Sequence, residues 1–172
     1  MFDLSFEDVK VAFLKDNDLR PSFPQLVKEQ VSAIDIPRFD DHAKRKYYRS
    51  LKTICIDPLG ARDHDDAISL EKKGSGWILG VHIADVSHYV TEDSPLDKEA
   101  LKRSFTQYLP WQAVHMLPEK LSSDLCSLKV GQDRLAFSCM VELSGSGIVK
   151  DFEFTKSYIQ VDEFHTYEEA MA

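Results

Sequence analysis

The stretch that decides the fold of this chain is Thr53-Ile-Cys-Ile-Asp57-Pro-Leu-Gly-Ala-Arg-Asp63-His-Asp65-Asp66-Ala-Ile-Ser-Leu70. It opens with a short β-branched apolar run, turns at Pro58 and Gly60, and returns through a second apolar run. This pattern predicts two strands joined by a loop, with Asp57 at the end of the first strand. Irregular backbone between strands is free of strand alternation, so the loop can turn several side chains toward one point.

Four aspartates fall within ten residues of this loop, and only Arg62 offers a positive charge inside the run. Two carboxylates about 5 Å apart repel by roughly 1 kcal/mol in water and by about 3 kcal/mol near a protein surface. A divalent cation would remove that cost. Carboxylate oxygens are hard ligands that suit Mg²⁺, Mn²⁺ or Ca²⁺, whereas zinc normally recruits His or Cys.

Two simpler interpretations compete with a catalytic metal site. A solvated acidic turn is common for an arbitrary Asp-rich loop, but the flanking strands make it less favoured here. An EF-hand would explain Asp63-x-Asp65. It fails because Ile68 falls where that calcium loop needs Gly, and Gly74 falls where it needs a bidentate Glu.

The acidic stretch resembles the signature of the ribonuclease II and ribonuclease R family, exoribonucleases built on the RNB catalytic domain. Two further blocks are similar to segments of that family, in the same order and at compatible spacing. They are Gly80-Val-His82-Ile-Ala-Asp85-Val-Ser-His88-Tyr-Val90 and the segment from Tyr108-Leu-Pro110 through Met116-Leu-Pro118 to Ser138. The resemblance covers roughly residues 45 to 158, and three ordered blocks carry more weight than one motif.

The resemblance implies processive hydrolysis of single-stranded RNA from the 3′ end, with Mg²⁺ or alternatively Mn²⁺, and release of nucleoside 5′-monophosphates. It implies no small-molecule cofactor. Asp57, Asp63 and Asp66 match the carboxylates that hold the metal, and Asp65 matches the residue most directly tied to the chemistry. Tyr108 matches an aromatic residue that stacks on a base near the 3′ end, although without the resemblance a core tyrosine would be the better interpretation.

Two histidines, His82 and His88, lie six positions apart on a predicted strand and would share a face. No third ligand accompanies them at a zinc-like spacing. Hydrogen-bonded core positions or substrate contacts are therefore favoured over metal binding.

Composition indicates a soluble globular chain, with 43% apolar and 29% charged residues among 172. The start lacks a signal peptide, and no segment is long enough to cross a bilayer. Cys55, Cys126 and Cys139 lie in apolar surroundings and are expected to be buried thiols, which predicts a cytoplasmic location. The net charge of −8 disfavours binding of a phosphate polymer such as RNA. The four aspartates supply half of that charge, however, and residues 44–49 are locally basic.

The predicted class is α+β, with a largely antiparallel sheet and surrounding helices. Residues 1–50 are expected to form a helical lead-in, and residues 51–172 the N-terminal part of an RNB catalytic domain. Ser5 and Asp8 have the spacing of a capping box at the first helix. Helices are predicted at 5–15, 23–34, 40–49, 95–105 and 119–128, and strands at 53–56, 67–70, 77–83, 134–143 and 149–161, with Gly145-Ser-Gly147 as a hairpin turn.

The last residues, Thr166-Tyr-Glu-Glu169, have the capping-box spacing that opens a helix. A helix start so close to the last residue suggests truncation, and the resemblance implies further arginines, a second aromatic and a catalytic glutamate beyond it. Three functions stay open. They are an RNB exoribonuclease represented by part of its catalytic domain, a non-catalytic RNB relative that binds RNA or protein, and a glycosidase-like carboxylate enzyme, which four clustered Asp without an apolar pocket disfavour.

Overall fold

The computed structural model describes residues 5–35 and 44–172. The chain divides into two compact units. The helical unit contains the residues up to Ala33 together with Glu92–Pro118, and the sheet unit contains Ile34–Thr91 with Glu119–Ala172. Within the described ranges, every helix is too short or too polar to span a bilayer.

In chain order the elements are α1 (Phe6–Asp16), α2 (Gln25–Ser32), β1 (Lys46–Tyr47), β2 (Thr53–Ile56), β3 (Asp66–Lys73), β4 (Gly76–Ala84), α3 (Val86–Tyr89), α4 (Pro95–Arg103), β5 (Gln107–Leu109), β6 (Gln112–Val114), a π-helical turn (Leu121–Leu125), β7 (Asp133–Leu143), β8 (Val149–Gln160), β9 (Glu163–His165) and α5 (Tyr167–Ala170).

The helical unit packs α2 against α4 and carries the β5–β6 hairpin. Helix α1 begins as predicted, because the Ser5 hydroxyl accepts from the Asp8 amide (3.2 Å) and the Asp8 carboxylate accepts from the Ser5 amide (2.9 Å). Helix α4 is tied to α2 by the Leu96 amide, which donates to the Gln30 side chain at 2.9 Å. Leu96 is fully buried, so this bond lies beside the core of the unit.

The sheet unit is built on one seven-stranded sheet in the order β1-β8-β7-β4-β3-β2-β9. The four central pairings are antiparallel, whereas β1–β8 and β2–β9 are parallel. The sheet is therefore mixed, and the prediction of a largely antiparallel sheet is corrected. Both parallel edge strands have only two or three residues, which is too short to leave a recognisable alternation in the sequence.

A chain of buried polar side chains crosses the middle of the sheet. His82 is fully buried on β4, where its ring contacts the Ser69 hydroxyl at 3.0 Å and the Ser138 hydroxyl at 2.7 Å. Ser138 in turn contacts the Ser157 hydroxyl at 2.6 Å. A Cβ at Gly80 would meet the Ser69 hydroxyl at 2.3 Å, so glycine is needed there. The prediction of a hydrogen-bonded core histidine is confirmed for His82.

Several predicted elements differ from the structure. Residues 40–43 lie outside the described ranges, and residues 46–47 form β1 instead of a third helix; the helical lead-in over residues 1–50 therefore stays a prediction. The helix predicted over 119–128 is a π-helical turn. Strand β4 ends at Ala84, which places His88 on α3 and not on the strand face of His82.

The predicted hairpin turn, the capping box at Thr166 and two of the three predicted buried thiols are present. The hairpin turn is present, with Gly147 at φ 80° and its amide bonded to the Ser144 carbonyl at 3.0 Å. The capping box at Thr166 opens α5. Cys55 and Cys126 are buried free thiols, but Cys139 is partly exposed, so the expectation of a buried thiol is wrong there.

Candidate carboxylate site

The acidic loop, residues 57–66, is held in place by its own backbone. The Asp57 amide donates to the His165 carbonyl on β9 at 3.1 Å, and the Asp65 carbonyl accepts from the Ala84 amide at the end of β4 at 2.9 Å. Main-chain bonds therefore fix both ends of the loop, and its carboxylates are not needed to anchor it.

A third anchor comes from the segment after the π-helical turn. The buried Ser127 hydroxyl donates to the Arg62 carbonyl at 2.9 Å and accepts from the His64 amide at 3.2 Å, while the Leu128 amide donates to the His64 carbonyl at 2.8 Å. Arg134 on β7 supports this segment, because its guanidinium donates to the Ser127 carbonyl at 2.9 Å. The middle of the acidic loop is thus braced from the sheet.

Asp57 receives two hydrogen bonds on one carboxylate oxygen. Its Oδ2 lies 3.2 Å from the Cys55 Sγ and 2.7 Å from the His64 Nδ1. Burial, reinforced by the neighbouring carboxylate, raises the pKa of the Cys55 thiol to about 12, so the thiol is protonated. Its single hydrogen is shared between Asp57 Oδ2 and the Asp66 carbonyl oxygen, which lies 3.0 Å from the sulfur. No residue of the described ranges hydrogen-bonds to Oδ1 of Asp57, which leaves that oxygen available to a cation.

The other three aspartates interact through their charges. Desolvation, together with the negative charges of Asp63, Asp57 and Asp66, raises the pKa of the Asp65 carboxyl. Neither Asp65 nor Asp66 forms an ion pair with any residue in the described ranges. Carboxylates such as Asp65 and Asp66, which have no ion pair among the described residues, fit a hard divalent ion such as Mg²⁺, which takes few protein ligands and keeps water in its other positions.

Two residues next to Asp57, Cys55 and His64, were not among the site residues predicted from the sequence. Across the described residues, the group of possible ligands lying within 4.8 Å of one another is Cys55, Asp57 and His64. Asp63 and Asp66, which the sequence assigned to the metal with Asp57, lie outside that group. Cys55 could have been found, because a residue two positions before Asp57 on a strand faces the same side.

Tyr108 lies on β5, opposite Ala113 of the hairpin, in the helical unit. Its side chain is 68% exposed, so it is not a core tyrosine. Its ring presents an accessible aromatic surface of the kind that bases stack on.

Comparison with known proteins decides the family. A family model described as the RNB domain matches residues 45–172. The chain belongs to the RNB domain family. The resemblance seen in the three sequence blocks is thereby confirmed.

Among curated relatives of this RNB chain, Ribonuclease R of Aquifex aeolicus is 43% identical over 162 residues, which is 92% of this chain and 23% of that protein. The chain therefore spans less than a quarter of the length of that relative. The solved structure of Mycoplasma genitalium RNase R in complex with ribose methylated single-stranded RNA is 30% identical, with a TM-score of 0.87, and the match covers 95% of this chain and 26% of that chain.

Yeast Ssd1, described as a pseudonuclease, has the same fold as this RNB chain. Its TM-score is 0.79 at 22% identity, over 96% of this chain and 21% of that chain. At this identity the likeness shows a shared fold, and it does not extend to the function.

Proposed function

We propose that this RNB chain supplies the metal-binding part of a hydrolytic exoribonuclease, which degrades single-stranded RNA from the 3′ end and releases nucleoside 5′-monophosphates. The observation that carries the proposal is the set of four carboxylates, Asp57, Asp63, Asp65 and Asp66, on a loop whose two ends are held by main-chain hydrogen bonds. Residues 51–172 would be the N-terminal part of the RNB catalytic domain, residues 1–50 its helical lead-in, and the cytoplasm its location.

In this proposal Asp57, Asp63 and Asp66 hold Mg²⁺, for which Mn²⁺ can substitute. A bound Mg²⁺ supplies Lewis-acid polarisation of the scissile phosphate and lowers the pKa of a bound water. The Cys55 and His64 donors contact the Asp57 carboxylate at Oδ2, so Oδ1 would be the oxygen that it offers to the ion.

Asp65 has a separate role. Burial and the charges of neighbouring carboxylates raise the pKa of the Asp65 carboxyl, which makes it a better proton acceptor than an ordinary aspartate. We assign it to orienting the attacking water and to receiving its proton on a carboxylate oxygen. Tyr108 would stack on a base near the 3′ end, and its exposed ring supports this assignment.

Metal binding is tested by the melting temperature of the chain with and without Mg²⁺. An ion that binds only the folded state stabilises it by about 2.7 kcal/mol when present at roughly a hundred times its dissociation constant. The wild type should melt at a higher temperature with Mg²⁺, and the double variant Asp57→Asn, Asp66→Asn should lose that rise. Glu153→Gln, which removes an exposed carboxylate on β8, is the matched control. If the melting temperature of the wild type is the same with and without Mg²⁺, the proposed metal site is refuted.

Catalysis is tested in a chimera in which this chain replaces the matched 162 residues of the Aquifex aeolicus Ribonuclease R. Asp65→Asn should reduce hydrolysis of oligo(A) by orders of magnitude and leave its affinity near that of the unmutated chimera, because the lost group acts in the transition state. An equal loss of affinity would make Asp65 a structural residue. Binding without hydrolysis in the unmutated chimera would favour a non-catalytic RNB module.

A further inference from the structure

Tyr108 lies on a short hairpin that depends on its neighbours for support. Strands β5 and β6 have three residues each and are joined by the two-residue turn Pro110-Trp111. An isolated two-stranded hairpin is at best marginally stable in water. The position of the Tyr108 ring therefore depends on what the hairpin packs against.

The two faces of this hairpin have different surroundings. Gln107 lies directly opposite Val114, and Tyr108 directly opposite Ala113, so the two pairs point to opposite faces. Val114 is buried, and together with Gln107 it lines a cavity of about 240 Å³ that residues 17–20 and the end of α4 also line. A cavity therefore lies behind the strand that carries Tyr108.

Hydrogen bonds hold the base of the hairpin. The Met116 amide donates to the Thr106 hydroxyl at 3.0 Å. Arg103, at the end of α4, donates to the His115 carbonyl at 3.1 Å and is itself paired with Glu99 at 2.8 Å. These bonds lie where the chain enters and leaves the hairpin, so they fix its base and not the turn at its far end.

The turn is held by aromatic contacts with α1. The Trp111 ring meets Phe6 at a centroid distance of 6.1 Å and Phe13 at 5.6 Å, with interplanar angles of 80° and 84°. Aromatic pairs favour such edge-to-face contacts. Phe6 and Phe13 are seven positions apart on α1, which is about two helical turns, so they lie on the same face of the helix. Trp111 thus fastens the tip of the hairpin to α1 at two points.

We propose that Trp111 is a positioning residue for Tyr108, because it holds the hairpin against α1 and so keeps the Tyr108 ring in the orientation that stacks on a base. Without the indole the hairpin would be free to tilt toward the cavity behind it, and binding would have to order the ring again. Preorganisation of this kind raises affinity without adding a contact to the ligand. The inference rests on the proposed stacking role of Tyr108 and is independent of the metal site.

Direct stacking of Trp111 on RNA fits the structure less well. Stacking needs an open ring face, and the Tyr108 side chain is 68% exposed. Trp111 is partly buried, its ring already meets two phenylalanines, and its indole nitrogen is shielded from solvent. Its surroundings therefore suit a residue that supports the hairpin from the side of α1.

The test measures the affinity of the chimera with the Aquifex aeolicus Ribonuclease R for oligo(A), with EDTA present so that the RNA stays intact. Tyr108→Ala should raise the Kd roughly 5- to 150-fold, the range expected for the loss of one stacked base. Trp111→Ala should raise it roughly threefold or more, and Trp111→Phe, which keeps a ring against α1, should recover most of that loss. In the Tyr108→Ala background, Trp111→Ala should change the Kd by less than about twofold, because the ring that it positions is already absent.

A second variant reaches the same contact from the helix. Phe13→Ala removes one of the two ring contacts and leaves the hairpin sequence intact, so it should also raise the Kd, and only when Tyr108 is present. Val11→Ala is the matched control, since Val11 is an apolar residue of α1 that is 63% exposed, and it should change the Kd by less than about twofold. Far-ultraviolet circular dichroism and melting temperatures establish which variants are folded. If Trp111→Ala does not fold, Phe13→Ala decides the question by the same comparison.

Two outcomes would overturn the positioning role and leave the stacking role of Tyr108 intact. One is an unchanged Kd in the folded Trp111→Ala and Phe13→Ala variants. The other is an equal effect of Trp111→Ala with and without Tyr108, because the indole would then act on RNA directly or on the fold as a whole. A Kd that Tyr108→Ala itself does not change would instead refute stacking, and the positioning role would fall with it.

Discussion

Replacing Asp85 by Asn should destabilise the sheet unit, because it leaves a buried guanidinium without its counter-charge. The Asp85 and Arg45 side chains are only 2% and 4% exposed, and they form an ion pair. The Ser87 hydroxyl donates to the second Asp85 oxygen at 2.7 Å, and the Lys156 ammonium lies 3.9 Å away from the carboxylate.

Breaking a buried ion pair by removing one partner costs about 3 to 5 kcal/mol. Asn keeps the shape of Asp and can still accept from Ser87, so we expect a loss near 3 kcal/mol in the free energy of unfolding. For a chain of this size that corresponds to a fall of roughly 6 to 12 °C in melting temperature. The double variant Arg45→Met, Asp85→Leu should lose less than Asp85→Asn alone, since it leaves no unpaired charge.

The same pair predicts a pH dependence. Burial raises the pKa of Asp85, but the Ser87 hydroxyl and the Arg45 guanidinium lower it more, so that the net pKa lies below 3.8. A carboxyl with a depressed folded pKa contributes stability above its unfolded pKa and loses it as the pH falls through the folded value. The contribution is thus complete at neutral pH and declines below about pH 4, and Asp85→Asn should flatten that decline.

Urea denaturation of the wild type and the variants at neutral pH and at pH 3 measures both effects. Glu153→Gln is the control, because it breaks the solvent-exposed pair with Lys46 and should change stability much less. A loss under 1 kcal/mol for Asp85→Asn, or a double variant as unstable as the sum of its single variants, would refute the reasoning.

Other parts of the structure give four further predictions. Burial lowers the pKa of His82 to about 4, so its imidazole signals in NMR should not titrate above pH 5, whereas a midpoint near 6.5 would contradict the buried position. Gly80→Ala should cost about 1 to 3 kcal/mol in urea denaturation through its clash with the Ser69 hydroxyl, and Ser69→Ala should recover part of that loss; no recovery would place the strain elsewhere. Ser127→Ala should cost about 1 kcal/mol and also reduce the rise in melting temperature with Mg²⁺, because it removes an anchor of the acidic loop; an unchanged rise would separate the anchor from the metal. In the chimera, Tyr108→Ala should lengthen the final RNA fragments on a gel by weakening base stacking by about 1 to 3 kcal/mol, while Tyr108→Phe should not, and identical fragments from all three would exclude stacking.

The central strands and the first helix could be predicted because their signals are local. Strand β8 alternates apolar and polar residues from Asp151 to Thr155, and the Ser5–Asp8 capping box lies within four residues. Periodicity and capping chemistry of this kind are visible in a single segment.

The edges of the sheet could not be predicted, because distant residues decide them. Strand β1 has two residues and exists only through its pairing with β8. The buried Arg45 beside it contacts Asp85, which is 40 positions away. Local propensity favoured a helix over 40–49, and at residues 46–47 the tertiary pairing with β8 overrides that propensity.

The sequence shows the four aspartates of the candidate site but not the contacts around Asp57. The four aspartates stand out in the sequence, whereas the two donors to Asp57 do not. His64 is an unremarkable position inside the acidic run, and its contact with Asp57 depends on how the loop turns around Gly60, which has a φ of 90°. A loop conformation of that kind follows from its anchors on β4, β9 and Ser127, and none of these is adjacent in sequence.

The parallel pairing of β2 with β9 also determines when the acidic loop can become ordered. The Thr53 amide donates to the side chain of Asp162, which is 109 positions away in the sequence. The Asp57 amide can form its hydrogen bond only after the His165 carbonyl is in place. The β7–β8 hairpin needs only neighbouring residues and can form early, but contacts between distant residues pay a larger loop-closure entropy and form late. During synthesis at a ribosome, the carboxylates of the acidic loop would stay unorganised until residues 163–165 had emerged.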